Sequence, residues 1–276
     1  MRDASPLRYP GGKWRITPIL ESAIRFNGLS NTPYIEPYAG GASLALSLLF
    51  KDLVSEIHIN DLDPAIHAFW HSVLTYNRDF LDLLAEIPVT PEEWEKQKAI
   101  YTKEPEAARF ELGFATFFLN RTNHSGILNG GMIGGTKQNG PWKIDARFNR
   151  PELRRRIERI GTFRDRIHLS CKDGIEFLHK YRFTGKCLFY LDPPYYRSGK
   201  HLYLNASRPE DHATISECVL KLESPWIVSY DDVPEIRDLY KNVRFKKIQL
   251  NHTARSARIG EEVLFFSPML RIPRIP

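Results

Sequence analysis

Short apolar runs of strand length alternate with helical patterns at both ends of the chain, and residues 67–166 interrupt that alternation once. Residues 33–39 (PYIEPYA) read as a buried strand ending at Gly40-Gly41, and ASLALSLLF follows as an apolar helix. Residues 56–61 (EIHIND) alternate apolar and polar side chains as a second strand. Strands are then expected near 167–171, 187–191, 226–230, 243–250 and 262–266, with helices near 174–181, 209–222 and 233–240. No helix separates the last two strands, so they should pair as an antiparallel hairpin. Such a chain folds as an α/β domain around a mostly parallel, Rossmann-like sheet of seven strands with helices on both faces.

The interrupting stretch has a different character. Residues 65–84, 91–101 and 105–120 carry apolar residues at helical spacing, and Thr90-Pro91-Glu92-Glu93 is a good helix start. Residues 121–150 are rich in Gly and Asn and aperiodic, which reads as loops or a hairpin, and a basic helix is expected at 151–163. The organisation expected is therefore a catalytic domain from 1–66 and 167–276, split by an inserted module at 67–166. Net charge is +6 and the sequence pI about 9.1. Lys137, Lys143, Arg147, Arg150, Arg154, Arg155, Arg156, Arg159, Arg164 and Arg166 crowd this module, with few acids among them. Such crowding favours a polyanionic partner, because neutralising phosphates releases condensed counterions. The competing reading is a solvated basic helix beside a surface loop.

Other classes are disfavoured. No apolar run approaches the roughly 18 residues that span a bilayer, and MRDASPLRYPGGK has no apolar core for a signal peptide. A cytoplasmic protein without membrane contact is expected. Cys171, Cys187 and Cys218 are scattered, with no CxxC pair and no nearby His at ligand spacing. They read as reduced thiols, and no metal is expected.

The strongest local signal is Asp192-Pro193-Pro194-Tyr195, directly after the apolar run CLFYL. Ligands of open α/β sheets bind outside the carboxyl ends of the strands, so this tetrapeptide sits where chemistry happens. An aromatic amino group is a poor nucleophile because its lone pair is delocalised into the ring. A carboxylate (Asp192) and a proline carbonyl accepting its two hydrogens would localise that lone pair, which is preorganised transition-state stabilisation. Tyr195 offers a face on which an extruded base can stack. A rigid turn after a strand is the plain alternative.

Three further segments read as ligand loops, each with a plain alternative: a common glycine-rich turn, a solvated turn aspartate and a disordered leader, in that order. Glu36-Pro37-Tyr38-Ala39-Gly40-Gly41-Ala42-Ser43 bridges the first strand and its helix, where glycines admit a ligand and the helix N-terminus favours an anion. Asn60-Asp61 ends the second strand, where a carboxylate can accept from ribose hydroxyls. Arg8-Tyr9-Pro10-Gly11-Gly12-Lys13 reads as a loop folded over a ligand.

Taken together, these segments resemble the Dam-type (DPPY) DNA adenine methyltransferases, whose order is a YPGGK-like motif, an EPYAGG-like cofactor loop, a recognition insert, then DPPY. The resemblance covers nearly the whole chain, including FFLNRTNHSGI (117–127) and EEVLFF (261–266). It implies a methyltransferase fold and S-adenosylmethionine as cofactor. The reaction it implies is methyl transfer to the 6-amino group of an adenine flipped from double-stranded DNA. Tyr9, Lys13, Asp61 and Asp192 match cofactor-contacting positions, and Asp192, Pro193, Pro194 and Tyr195 the catalytic motif. Glu36, Pro37, Gly40, Gly41 and Asp173 complete the expected cofactor set. Arg121, His124, Ser125, Asn129, Lys137, Arg147, Arg150 and Arg155 are the expected DNA contacts, with His124 where an aromatic wedges into the duplex. Ala42 stands where many members have glycine, and Asn129 where a base-reading arginine can occur in Dam itself, so a GATC target does not carry over. Rival readings are methylation of another amine (the cytosine 4-amino group or an RNA adenine) and a non-catalytic DNA-binding relative. The partner set includes a cognate restriction endonuclease as a candidate, and a monomer or weak dimer is expected.

Overall fold

A computed structural model describes residues 4–8, 13–103, 107–181, 186–196, 208–252 and 258–272. Its seven strands are β1 (Tyr34–Glu36), β2 (Ile57–Asn60), β3 (Ile167–Ser170), β4 (Leu188–Leu191), β5 (Trp226–Asp231), β6 (Arg244–His252) and β7 (Arg258–Phe266). They form one sheet in the order β3-β2-β1-β4-β5-β7-β6. Strands β1 to β5 pair in parallel, and β7 runs antiparallel between β5 and β6. This is the expected mixed sheet with its C-terminal hairpin. Strand β4 (LFYL) is buried along its whole length, as its unbroken apolar run requires of a strand covered on both faces.

The helices are α1 (Thr17–Phe26), α2 (Ser43–Leu49), α3 (Pro64–Thr75), α4 (Asn77–Glu86), α5 (Pro91–Thr102), α6 (Arg109–Thr122), α7 (Arg150–Thr162), α8 (Gly174–Tyr181), α9 (Pro209–Leu220) and α10 (Pro234–Leu239). Helix α1 was not anticipated from the sequence, although Pro18 in its first turn is a start signal. The expected cap forms at α5, where the Thr90 hydroxyl accepts from the Glu93 N–H.

One expectation is corrected, and one that was open between two forms is resolved. The stretch 65–84 is two helices, because Tyr76 leaves helical geometry between α3 and α4. Both halves are amphipathic, and periodicity does not reveal a turn between two amphipathic segments. The turn is pinned by Asn77 Nδ2, which donates to Val73 O (2.9 Å) and Ile157 O (3.1 Å). Residues 121–150, expected as loops or a hairpin, take the loop form and make no strand pair. Within them lie 3-10 turns at His124–Gly126 and Ile144–Arg147, and one isolated antiparallel bridge, Asn123 to Met132.

Two apolar layers sandwich the sheet. On one face, Tyr34, Ile57, Ile59, Leu188 and Tyr190 join a core that continues into α1 to α7. Helix α6 is the axis of that core: Phe114 and Phe117 pack with Phe69 of α3 and Phe80 of α4, at ring separations of 5.0–6.1 Å. Each such ring contributes roughly 1.5–3 kcal/mol by burial. Gly113 lets α6 touch α3, since a Cβ there would lie 2.4 Å from Ala68 O and Ser72 Oγ. On the opposite face, Ile35, Phe189, Leu191, Trp226 and Val228 pack against α8, α9 and α10. Among the described residues, no helix is long and apolar enough to cross a membrane.

Candidate active site

From β1 the chain moves outward to β2 and β3, and β4 then lies on the other side of β1. The carboxyl ends of β1 and β4 therefore flank the point where the sheet order reverses, which is where ligands of open α/β sheets bind. Glu36-Pro37 and Asp192-Pro193 occupy those two ends. Strand alternation does the rest. Registers Tyr34↔Leu188, Tyr190↔Ile227, Ser229↔Leu264 and Asp231↔Glu262 place Glu36, Tyr190, Asp192, Ser229 and Glu262 on one face of four adjoining strands.

Asp192 is held by its Oδ1 alone. Lys13 Nζ lies 2.9 Å from that atom, and Ser229 Oγ donates to it at 2.7 Å. Its Oδ2 has no partner among the described residues. Ser229 has one hydroxyl proton and gives it to the carboxylate, so the Tyr190 hydroxyl, 2.8 Å away, must donate to Ser229 Oγ. The result is a directed relay, Tyr190 to Ser229 to Asp192. Burial holds the Tyr190 phenol well above its usual range, with Asp192 adding to the effect, so it stays a donor.

Lys13 also pairs with Glu262 Oε2 at 2.7 Å, and its ammonium stands 5.1 Å over the Tyr195 ring. Burial works against this cation, but Asp192, Tyr190 and Glu262 outweigh it and hold its pKa above the ordinary lysine value. The other Glu262 oxygen accepts from the Tyr195 hydroxyl. Burial raises the Glu262 carboxyl, Lys13 opposes that rise and Asp192 adds to it. Beyond Tyr195 the Tyr196 N–H donates to Asp231 Oδ1 at 3.0 Å, closing the motif onto the end of β5.

Glu36 is buried, accepts from the Tyr34 hydroxyl at 2.9 Å and takes a further hydrogen bond from the backbone N–H of Ala45. Burial pushes its pKa up to about 8, with the nearby Asp192 acting in the same direction, so it is mostly protonated at neutral pH. The Pro37 carbonyl accepts from Asn60 Nδ2 (3.0 Å), which also donates to Lys172 O (2.8 Å). Asn60 Oδ1 accepts from Ser170 Oγ and Lys172 N, so one buried amide ties together the ends of β1, β2 and β3. Next to it, Asp61 accepts from Gly40 N (2.8 Å) and Asp63 N (2.9 Å), and burial pushes its pKa up to about 6. Gly40 has φ 47°, a left-handed conformation suited to glycine, and its carbonyl accepts from Trp70 Nε1 at 2.9 Å. Gly41 is buried beside it, and Ala42 adopts φ 46°, a position glycine takes more cheaply. Asp173 caps α8 through Ile175 N and Glu176 N. Tyr9 lies outside the described residues.

The segment before Lys13 is strapped to α6. Asn120 Oδ1 accepts from Arg8 N (2.6 Å), while its Nδ2 donates to Arg8 O and Gly126 O, both at 2.9 Å. Asn123 accepts from Trp94 Nε1 (2.6 Å) and donates to Ile127 O and Leu128 O. Asn120 thus ties the loop 124–130 to Arg8, and Asn123 ties it to α5. His124 and Asn129 are exposed on that loop, Ser125 is half-buried with φ 57°, and Lys98 Nζ reaches Asn129 Oδ1 at 3.4 Å.

The arginines fall into two groups. Arg147 is exposed over the ring of Trp142, and its carbonyl accepts from Arg121; Lys137 is also exposed. Several others are tied into the scaffold. Arg150 donates to Leu84 O, Ala85 O and Ile87 O, which satisfies the C-terminal carbonyls of α4. Arg156 reaches Ser5 O, Arg159 reaches Phe50 O, and Arg166 reaches Val54 O and Ser55 O. Arg155 pairs with Glu152. Phe50, Val54 and Ser55 precede β2, at the amino end of the sheet, so Arg159 and Arg166 stand at the opposite end from Asp192. Ser229, Glu262, Tyr190, Asn120 and Asn123 were assigned no role from the sequence. The available signal was a polar residue inside an apolar strand, Ser229 in WIVSYD and Glu262 in EEVLFF.

The family described as D12 class N6 adenine-specific DNA methyltransferase matches residues 9–254. No curated protein matches the chain significantly. Among solved structures, SMU.472, named as a methyltransferase and solved with SAH, aligns with a TM-score of 0.34 and 13% identity, over 91% of this chain and 52% of that one. The chain thus spans about half the length of SMU.472. Protein LPL1258 from Legionella pneumophila aligns with a TM-score of 0.32 and 9% identity, over 91% of this chain and 84% of that one.

Proposed function

Because the chain belongs to the D12 class of N6 adenine-specific DNA methyltransferases, we propose that it methylates the 6-amino group of an adenine rotated out of duplex DNA, at a defined site. The observation that carries this reading is the one-sided grip on Asp192, with Oδ1 fixed by Lys13 and Ser229 and Oδ2 left for a ligand.

In this reading Asp192 Oδ2 and the Pro193 carbonyl accept the two amino hydrogens, which draws the nitrogen lone pair out of the ring. The Tyr190–Ser229 relay and Lys13 keep the carboxylate oriented without reorganisation during the reaction. Tyr195, tethered by Glu262 and covered on one side by Lys13, presents its other face to the extruded base. The donor set suits S-adenosylmethionine. Asp61 is a half-buried carboxylate aimed at the glycine turn, and Asn60 keeps the neighbouring backbone of Pro37 and Lys172 in place. When bound, that cofactor would supply a methyl group already activated on a sulfonium, so the chain has to orient the amine, exclude bulk water and let the displaced amino proton pass to Asp192 Oδ2 or on to solvent. Residues 67–166 act as the target-recognition segment, with the loop 124–130 reaching the DNA next to the active-site strap.

The test is transfer of label from S-adenosylmethionine to duplex DNA, with products resolved by nucleoside chromatography. Recovery of 6-methyladenine, lost in Asp192→Ala, is expected. Label appearing only in 4-methylcytosine, RNA or protein overturns the reading.

A further inference from the structure

The face of β2 and β3 opposite the aromatic core carries a second cluster of chemically capable side chains. His58 and His168 are register partners on these parallel strands, and their rings stack with centroids 4.4 Å apart. Glu56 lies two residues before His58 and points to the same side. His58 Nε2 is 2.9 Å from one Glu56 oxygen and His168 Nε2 is 3.0 Å from the other. The three ligand atoms all lie within 4.8 Å of one another.

We propose that Glu56, His58 and His168 form a binding site for a divalent transition metal of the zinc class, on the edge of the sheet. Two imidazoles and one carboxylate are a donor set that zinc accepts, and a fourth position would be left to water. Tetrahedral zinc with bonds of about 2.0–2.2 Å needs ligand atoms about 3.3 Å apart. The two Glu56–histidine separations, 2.9 and 3.0 Å, lie a few tenths of an ångström from that value, and side-chain rotation would bring the histidine nitrogens, within 4.8 Å of each other, to it. The scaffold is rigid, because the two histidines are fixed by strand register and not by loops. Access is open as well: His58 is half-buried and His168 exposed on an edge strand. A water-filled fourth position is therefore sterically available.

The consequence would be mechanical. Two residues further along the same face, Asn60 and Ser170 pair at the carboxyl ends of these strands, next to Asp61. A metal at the cluster would clip β3 to β2 below the end that carries Asp61. The site itself is independent of methyl transfer, so its failure and the failure of the functional reading are separable.

The nearby charged groups do not compete for the ion. Arg166 is engaged by Val54 O, Ser55 O and Asp52. Cys171 is an exposed thiol one residue past β3 and is the natural rival ligand. Titration calorimetry of the tag-free chain with ZnCl2 tests the proposal, with Cys171→Ser, His168→Ala and the isosteric Glu56→Gln in parallel, each checked by circular dichroism. Expected are one zinc per chain at micromolar affinity, at least tenfold weaker binding in His168→Ala and Glu56→Gln, and no change in Cys171→Ser. At hundredfold saturation the wild-type melting temperature should rise by about 5 °C. Absence of binding below about 1 mM, or binding of equal strength in His168→Ala, overturns it, as does loss of binding in Cys171→Ser alone.

Discussion

Lys13 Nζ stands 2.9 Å from Asp192 Oδ1, so the carboxylate at the end of β4 is oriented by a residue far from it in sequence. The same ammonium holds Glu262 of β7, and Glu262 holds the hydroxyl of Tyr195. One cation thereby sets both the acid and the aromatic face of the tetrapeptide. Arg8, five residues before Lys13, is fastened to α6 by Asn120, which ties the helical module to the segment preceding this cation.

Lys13→Met should expose that coupling. Asp192 and Glu262 would then face each other without the cation between them, and removing one member of a buried pair costs about 3–5 kcal/mol. Turnover should fall about a hundredfold or more, and the urea midpoint should drop. Lys13→Met combined with Glu262→Gln should recover part of the lost stability, because the two effects share one interaction. An unchanged midpoint in the single variant would show that the pair does not form.

Ser229→Ala separates orientation from binding. It removes the hydroxyl that donates to Asp192 and accepts from Tyr190, leaving the buried Tyr190 hydroxyl without that acceptor at about 1–3 kcal/mol and Asp192 Oδ1 with Lys13 alone. The loss should appear mainly in kcat, roughly tenfold to hundredfold, with calorimetric affinity for S-adenosylmethionine within about twofold of wild type. Equal losses in affinity and turnover would place Ser229 in cofactor binding instead.

Glu36 makes stability fall as pH rises. Its folded-state pKa of about 8 lies above the ordinary glutamate value of 4.5, so the folded protein retains a proton that the unfolded chain releases. The contribution is fully favourable below the unfolded value. It declines by ~1.4 kcal/mol per pH unit through the window up to about 8, and is flat above it. Glu36→Gln keeps an acceptor for Tyr34 and Ala45 but never ionises. The variant should match wild type at pH 5 and exceed it by a few kcal/mol at pH 9, read from urea midpoints. Parallel pH profiles for the two proteins would refute the buried, protonated carboxyl.

Contiguous segments made much of the fold and part of the site legible. Asp192-Pro193-Pro194-Tyr195 and Gly40-Gly41 each follow an apolar run, and strand periodicity alone puts them at carboxyl ends. Ser229 and Glu262 were harder to see, because their roles exist only once β5 and β7 pair and bring them beside Asp192. Glu56, His58 and His168 were missed for the same reason, since the register of two strands far apart in sequence makes the cluster. The basic stretch 147–166 showed the opposite difficulty. Charge is visible in a sequence, but the carbonyl that an arginine answers is not. Arg150, Arg156, Arg159 and Arg166 each meet backbone oxygens of a segment distant in sequence.

That division of the arginines gives two distinguishable failures. Arg147 is exposed above Trp142, near the half-buried Arg8. Arg147→Ala should leave the melting temperature within about 1 °C and reduce the slope of log Kd for duplex DNA against log salt by about one unit, as expected for one lost phosphate contact. Arg150 instead closes three carbonyls at the end of α4, so Arg150→Ala leaves acceptors at a packed helix terminus unanswered. A stability loss of about 1–3 kcal/mol is expected, with the salt slope unchanged once the protein is folded. Melting curves and fluorescence-anisotropy titrations at four or more salt concentrations separate the outcomes. If Arg150→Ala lowers the slope by about one at full stability, its guanidinium turns from α4 to the phosphate when DNA binds. The scaffold role assigned to it here would then be wrong.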